Sequence, residues 1–280
     1  MMMTDLSGKR GLIFGVLNEA SLAWPIATKA KAAGAQIVLT NTPVAKRLGT
    51  VEQLAKDLDV PYLPADATDV AALESMMEEA TRLLGGKLDF ICHSIGMSPN
   101  LRKGRAYHEL NHRDFLNTLD ISALSLHKIL QVADQKDLLS EWASIVAITF
   151  MASRETFPFY GDMAEAKAVL ESISRSYGYR LGKKLKARVN TVCQGPTPST
   201  AGSGVPAFDA LQHFTSLMAP LGNPDAEACA DFILTLFGDA TRMVTMQCLY
   251  HDGGYHATGM SEEMVALMQE EVNKQSTKSK

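Results

Sequence analysis

Lys9-Arg-Gly-Leu-Ile-Phe14 is a short apolar run that stops at Gly15, and Gly15-Val-Leu-Asn-Glu-Ala-Ser21-Leu22-Ala23 leads from it into a helical pattern that continues to Ala32. A strand, a turn and a helix in that order open a doubly wound sheet, whose helix N-terminus faces the pyrophosphate of a bound dinucleotide. Gly15 offers a backbone free to turn and to approach a ligand closely. Ser21 can cap the helix and present its hydroxyl to a phosphate. The G-x-G-x-x-G fingerprint is absent, so on these residues alone an ordinary capped helix is an equal alternative.

The alternation continues outward from this unit as far as Gly254. Residues 35–41, 61–67, 87–96, 144–150, 187–194 and 243–251 read as further strands. Helical spacing joins Leu73, Met76, Met77, Leu83 and Leu84, and recurs over residues 115–133, 160–181 and 226–236. Strands alternating with helices predict an α/β fold, a Rossmann-type doubly wound parallel sheet covered on both faces. No composition shift marks a linker, so residues 1–274 are expected to form a single dinucleotide-binding catalytic domain. Residues 261–272 read as a last amphipathic helix, with Met264, Leu267 and Met268 packed on a neighbour. The polar tail, residues 275–280, reads as disordered.

The totals narrow the function. In 280 residues, 46% hydrophobic composition supports a sizeable core, and a net charge of −4 implies no broad basic surface for nucleic acid. The start of the chain lacks the basic-then-apolar order of a signal peptide, and no apolar run is long enough to span a membrane. Cys92, Cys193, Cys229 and Cys248 are far apart and form no C-x-x-C pair, which predicts reduced thiols in a cytoplasmic protein. The histidines show no metal-binding spacing, so no metal site is expected.

The expected strand ends carry small or polar residues. Asp66 closes the third, where a carboxylate can accept a bond from an adenine amino group; a turn aspartate is the alternative. Ser94-Ile95-Gly96 closes the fourth, where a small residue lets the nicotinamide-side ribose lie against the backbone. Gln194-Gly195-Pro196-Thr197 closes the sixth, where the nicotinamide carboxamide would be met. The second ends in Thr40-Asn41-Thr42-Pro43, without the acid that binds a ribose 2′-hydroxyl in many NAD proteins. Lys46 and Arg47 follow and could meet a 2′-phosphate, although a solvated helix face is the commoner reading. The choice between NADH and NADPH stays open on these residues.

Further along, Tyr160-Gly-Asp-Met163-Ala-Glu-Ala-Lys167 sets a phenol seven residues before an ammonium. On a helix, positions seven apart share a face two turns apart. The phenol can hydrogen-bond an oxygen that gains negative charge, and the ammonium can lower the cost of that charge and hold a neighbouring hydroxyl.

Together, the motifs Leu6-Ser-Gly-Lys-Arg10, Gly15 with Ser21, His93-Ser-Ile-Gly96, Tyr160-x6-Lys167, Arg188-Val-Asn190, Gly195-Pro196 and His251-Asp-Gly-Gly254 span nearly the whole chain. In kind and order the chain resembles the enoyl-acyl-carrier-protein reductases of bacterial fatty acid synthesis, a divergent branch of the short-chain dehydrogenases. The resemblance implies that Gly15, Ser21, Leu22, Asp66, Ala67 and Ile95 contact the dinucleotide and that Thr42 touches the adenosine ribose. Lys167 would hold the nicotinamide ribose hydroxyls. Thr197, Pro198, Ser199, Thr200 and Ala201 would cover nicotinamide and pyrophosphate, and Ser98 would contact substrate. It further implies NADH as cofactor, with NADPH not excluded, an enoyl-acyl carrier protein as substrate, and a homotetramer. The chain departs from the family's usual pattern at Phe150, where many members have a second tyrosine, and at Thr197, where isoleucine is more usual.

The expected reaction is conjugate reduction of a trans-2-enoyl thioester. Hydride goes to the β-carbon, and Tyr160 donates a hydrogen bond to the thioester oxygen as an enolate develops. The α-carbon is then protonated, by the tyrosine or by water in contact with it. The acyl chain needs an apolar slot, for which Met97, Phe150, Phe159, Tyr160, Met163, Ala201, Val205 and Phe208 are candidates. Residues 197–217 combine prolines with glycines and read as a mobile flap over substrate. Two other functions are weighed. A short-chain dehydrogenase acting on a ketone or alcohol would have serine thirteen residues before the tyrosine, where this chain has Ala147. A non-catalytic redox sensor would have no need of a phenol at the nicotinamide.

Overall fold

The computed structural model describes residues 4–278. Six strands, β1 (Arg10–Phe14), β2 (Gln36–Thr40), β3 (Leu88–His93), β4 (Leu139–Thr149), β5 (Arg188–Gln194) and β6 (Cys248–His251), form one parallel sheet in the order β2-β1-β3-β4-β5-β6. The helices are α1 (Ala23–Ala32), α2 (Ala45–Leu48), α3 (Val51–Asp57), α4 (Val70–Leu83), α5 (Pro99–Arg102) and α6 (His112–Leu119), followed by α7 (Ser125–Gln135), α8 (Met163–Leu185), α9 (Phe208–Met218), α10 (Ala226–Phe237) and α11 (Glu262–Lys278).

Strand side chains alternate between faces, and a parallel sheet must cover both. Leu12 and Phe14 of β1, Ile91 of β3, Ile145 of β4 and Val189 of β5 are buried with residues of α4, α7 and α8. Their neighbours Ile13, Cys92, Val146 and Val192 point the other way and are buried with residues of α1, α3 and α10. The chain runs outward from β1 to β2 and then crosses back to β3 on the other side of β1. A doubly wound sheet opens its ligand crevice at such a reversal, beyond the carboxyl ends of the strands. Here those ends are Gly15 and Ser94.

The expected third strand is the main departure. Residues 61–67 run beside β2 but form only a single bridge, Tyr62 to Leu39. Leu63 and Ala65 donate to the Leu39 and Asn41 carbonyls, but Pro61 has no N–H to extend this pairing, and β2 remains the sheet edge. The helix expected over 115–133 is interrupted at Asp120–Leu124 by one π-helical turn between α6 and α7. Strand β4 starts earlier than expected, at Leu139, with Trp142 at φ 63° inside it. Strand β6 starts later, at Cys248, because the Asn190 side chain takes the Val244 carbonyl and the Gln247 N–H that a longer strand would use.

The C-terminal expectation also changes. Residues 275–278 are helical and continue α11. No glycine or proline follows Gly259, and Ser276 and Thr277 bond back to Val272 and Asn273. Residues 279–280 lie outside the described residues.

Candidate active site

The carboxyl ends of β3, β4 and β5 open onto one cleft of about 970 Å³, its mouth included. Ser94, Ile95 and Gly96 line it after β3, Ile148, Thr149 and Phe150 at the end of β4, and Gln194, Gly195, Pro196 and Thr197 at and after β5. Met97 and Ser98 extend one wall, and Ser199, Ala201, Val205 and Phe208 extend another.

Tyr160 and Lys167 both line this cleft, but helical periodicity does not bring them together. Helix α8 begins at Met163, and Tyr160 stands ahead of it in a turn where Gly161 is left-handed, φ 52°. The Tyr160 N–H donates to the Phe157 carbonyl and the Met163 N–H donates to the Tyr160 carbonyl. The expectation of two groups on one helix face is therefore corrected. An L-residue at Gly161 would resist this backbone, and the turn re-aims the phenol.

The Tyr160 ring lies 5.0 Å from that of Phe150, which lies 5.0 Å from Phe157. Its hydroxyl has no hydrogen-bond partner among the described residues. Burial raises the Tyr160 pKa well above the ordinary phenol value, so the group is a proton donor at neutral pH. Lys167 is buried, and its Nζ donates to the Ile148 carbonyl at 2.9 Å. An ammonium has three protons to give, and this bond uses one. Burial lowers the Lys167 pKa to about 8, against the opposing pull of Glu171 one turn along. Glu171 is itself buried and accepts bonds from Thr149, Ser153 and Arg154.

The backbone at the switch point fits a dinucleotide. Gly15 has φ 103°, and a Cβ there would stand 2.1 Å from the Ser94 carbonyl oxygen. Only glycine lets the ends of β1 and β3 come this close. A Cβ at Gly96 would lie 3.7 Å from Lys167 Nζ, so a larger side chain would cover the ammonium. The residues present thus offer a bare backbone crevice and an ammonium with protons to spare, the donor set that ribose hydroxyls and phosphates need.

The remaining expected residues divide. Leu22, Ser94, Ile95, Gly96, Gly195, Pro196, Thr197, Ser199 and Ala201 line the cleft with Lys167, whereas Gly15, Ser21, Thr42, Asp66, Ala67 and Thr200 lie outside its lining. Ser21 does not cap α1. Its hydroxyl turns back to accept from the N–H groups of Leu17 and Asn18, because α1 starts two residues later. Asp66 Oδ1 accepts from the N–H and hydroxyl of Thr68, the turn-aspartate alternative. Thr200 donates its hydroxyl to Asn18 Oδ1 at 2.6 Å and its N–H to the Ala20 carbonyl, which ties the base of the expected flap to the first strand-to-helix loop. Lys46 pairs with Glu52 at 2.8 Å.

In the apolar slot, Met97, Phe150, Met163, Ala201, Val205 and Phe208 line the cleft, and Phe159 does not: it is 64% exposed, turned outward just before the Tyr160 turn. Ser98 borders the cleft, but its hydroxyl is already committed. It donates to Asp162 and accepts from the Leu101 N–H as the cap of α5. Much of the 197–217 segment is helical, in α9. Leu101, Arg102 and Leu211 also line the cleft and escaped the sequence reading. The Ser98-Pro99 pair, a cap followed by proline at the first helical position, was the available signal for the first two.

The model of the enoyl-(acyl carrier protein) reductase family matches residues 15–256. The chain belongs to this family. Enoyl-[acyl-carrier-protein] reductase [NADH] 1 of Rhizobium meliloti is 33% identical over 91% of this chain and 93% of its own length. The corresponding FabI of Synechocystis is 30% identical over 92% of this chain and its whole length. Among solved structures, the FabI-NADH complex from Alistipes finegoldii superposes with a TM-score of 0.91 at 54% identity, covering 92% of each chain. In this enoyl-(acyl carrier protein) reductase, Ala147 is buried in β4 opposite His93, so no hydroxyl stands where a ketone-reducing dehydrogenase places its serine. Among the described residues, no helix is long and apolar enough to cross a membrane, and no three histidine, cysteine or acidic side chains cluster to hold a metal ion.

Proposed function

We propose that the protein reduces the double bond of a trans-2-enoyl thioester carried on acyl carrier protein, the last step of bacterial fatty acid elongation, with NADH as reductant. The observation that carries this reading is one cleft holding a partnerless phenol and a buried, underused ammonium between bare strand ends, beside an apolar slot. When bound, NADH supplies the hydride for the β-carbon. Gly15, Ser94, Ile95 and Gly96 would give the dinucleotide close backbone approach. Thr197, Ser199 and Ala201 would cover it, and Lys167 would hold its ribose hydroxyls. Tyr160 donates a hydrogen bond to the thioester oxygen, where negative charge develops. One preorganised donor of this kind contributes about 3 kcal/mol, roughly a hundredfold in rate. The Lys167 ammonium lowers the cost of that charge and aligns phenol and cofactor. Met97, Phe150, Met163, Val205 and Phe208 exclude water and seat the acyl chain. Phe150 supplies packing but no second phenol.

Several finer readings go with this one. NADH is favoured over NADPH because the Rhizobium meliloti and Synechocystis relatives are named for NADH and the Alistipes finegoldii FabI is an NADH complex. Residues 1–274 act as one catalytic domain, with residues 197–217 as a flap. The enzyme works in the cytoplasm, in keeping with its free cysteines. It is a homotetramer, in keeping with Leu116, Leu124 and Tyr179, which leave apolar surface exposed on and between the long helices.

The test mixes purified protein with NADH or NADPH and crotonyl thioesters of coenzyme A and acyl carrier protein, and follows nicotinamide absorbance. Oxidation of NADH by the enoyl thioesters is the expected result. No oxidation with them, but oxidation with a 3-ketoacyl thioester, would replace this reading with the ketone reductase.

A further inference from the structure

Since α8 starts after Tyr160, something other than helical periodicity must fix the phenol. Asp162 lies two residues beyond it in the same turn, with its carboxylate fully buried. Donors from two other segments converge on it. Ser98 Oγ donates to Oδ1 at 2.6 Å, Asn100 Nδ2 donates to Oδ2 at 2.7 Å, and Thr118 Oγ1 stands 2.9 Å from Oδ2. Among the described residues no cation pairs with this carboxylate. A buried carboxylate without a counter-ion depends on its hydrogen bonds, so the groups that supply them hold it in place.

Each donor is anchored in turn. Ser98 caps α5 through the Leu101 N–H. Asn100 Oδ1 accepts from Arg105 and from the Asn111 N–H. Thr118 is fully buried in α6. The carboxylate thus joins the turn that carries Tyr160 to the wall that carries Met97, Ser98 and Leu101. Lys167 has a separate anchor, the Ile148 carbonyl.

We infer that Asp162 is a positioning residue for enoyl reduction. It locks the Tyr160 turn against the α5 wall and so sets where the phenol meets the thioester oxygen. The inference rests on the reaction proposed above. It accounts for a buried charge that the chemistry does not use, and for a Ser98 hydroxyl turned to Asp162 rather than left free for substrate.

The test is a double-mutant cycle on the full-length enzyme with NADH and a crotonyl thioester. Asp162→Asn keeps the volume but turns one acceptor into an NH₂ group facing donors. It is expected to lower kcat about ten- to a hundredfold, the scale of a small misplacement of a reacting group. NADH affinity, measured by fluorescence titration, should stay within about twofold, because Lys167 is held independently. In a Tyr160→Phe background the same change should cost less than about twofold more, since the group it positions is gone. Equal losses in the two backgrounds, or an unchanged kcat for Asp162→Asn alone, would overturn the role. If Asp162→Asn does not fold, Ser98→Ala removes one of the bonds and is put through the same cycle with the same criteria. Wild-type enzyme inactive on enoyl thioesters would overturn the reaction and this role with it. Active wild type with additive losses would overturn this role alone.

Discussion

At the scale of single residues, the site holds two titratable groups with displaced proton affinities in one cleft. Burial pushes Tyr160 up, which keeps the phenol protonated as a donor, and pushes Lys167 down to about 8. Tyr160→Phe should cut kcat by about a hundredfold or more, the value of one preorganised donor, while NADH affinity changes little. Steady-state rates with a fluorescence titration check both parts. Lys167 makes a pH prediction. Its folded pKa of about 8 lies below its ordinary value of 10.5. Between these two values the unfolded chain holds a proton that the folded protein has released, so this group makes stability rise with pH across that window. Below about pH 8 both states are charged and the full cost of burying the ammonium is present. Lys167→Met should therefore be most stabilising, relative to the parent, at or below pH 8, and its advantage should shrink toward pH 10.5. Urea unfolding of the two proteins across that range measures the difference directly. Residue identity made both groups legible in the sequence. The buried Asp162 was not, because it matters only through Ser98, Asn100 and Thr118, far away in the chain.

At the scale of elements, the π-helical turn Asp120–Leu124 does what a regular helix over residues 115–133 would not. It carries Ser122, whose buried hydroxyl accepts from the Met97 N–H and donates to the Met97 carbonyl, both at 3.0 Å. One side chain thus satisfies both backbone groups of a cleft residue, and interruptions of this kind are frequent at functional sites. Ser122→Ala leaves that donor and acceptor unpaired in a half-buried place. It should cost about 1–3 kcal/mol of stability and raise KM for the enoyl substrate more than for NADH, as measured by urea unfolding and by initial rates. Strand and helix alternation was readable because apolar period and glycine punctuation are local properties. The π turn was not, since an extra residue in a helical turn barely alters the hydrophobic pattern. The expected third strand is reduced to a single bridge beside Pro61, a signal present in the sequence but outweighed by the apolar run around it.

At the scale of the whole molecule, the chain reversal between β1 and β3 gathers the ends of separate strands into one crevice, and the Thr200 to Asn18 bond ties the segment after β5 to the first loop. A ligand that bridges those parts should stabilise all of them at once. NADH at a hundred times its dissociation constant should add about 2.7 kcal/mol, seen as a rise in Tm that NADPH at equal concentration does not match. The amino-acid sequence by itself determined the fold class, the family and the identities of Tyr160 and Lys167, because these rest on short-range patterns and on motifs kept in order along the chain. Only the tertiary structure decided that the two line one cleft with the phenol on a turn ahead of the helix, that Phe159 faces outward, and that the Ser98 hydroxyl serves a buried carboxylate. The physical reason is that side-chain direction and hydrogen-bond partnership are set by groups brought together on folding, and spacing along one chain carries no record of them.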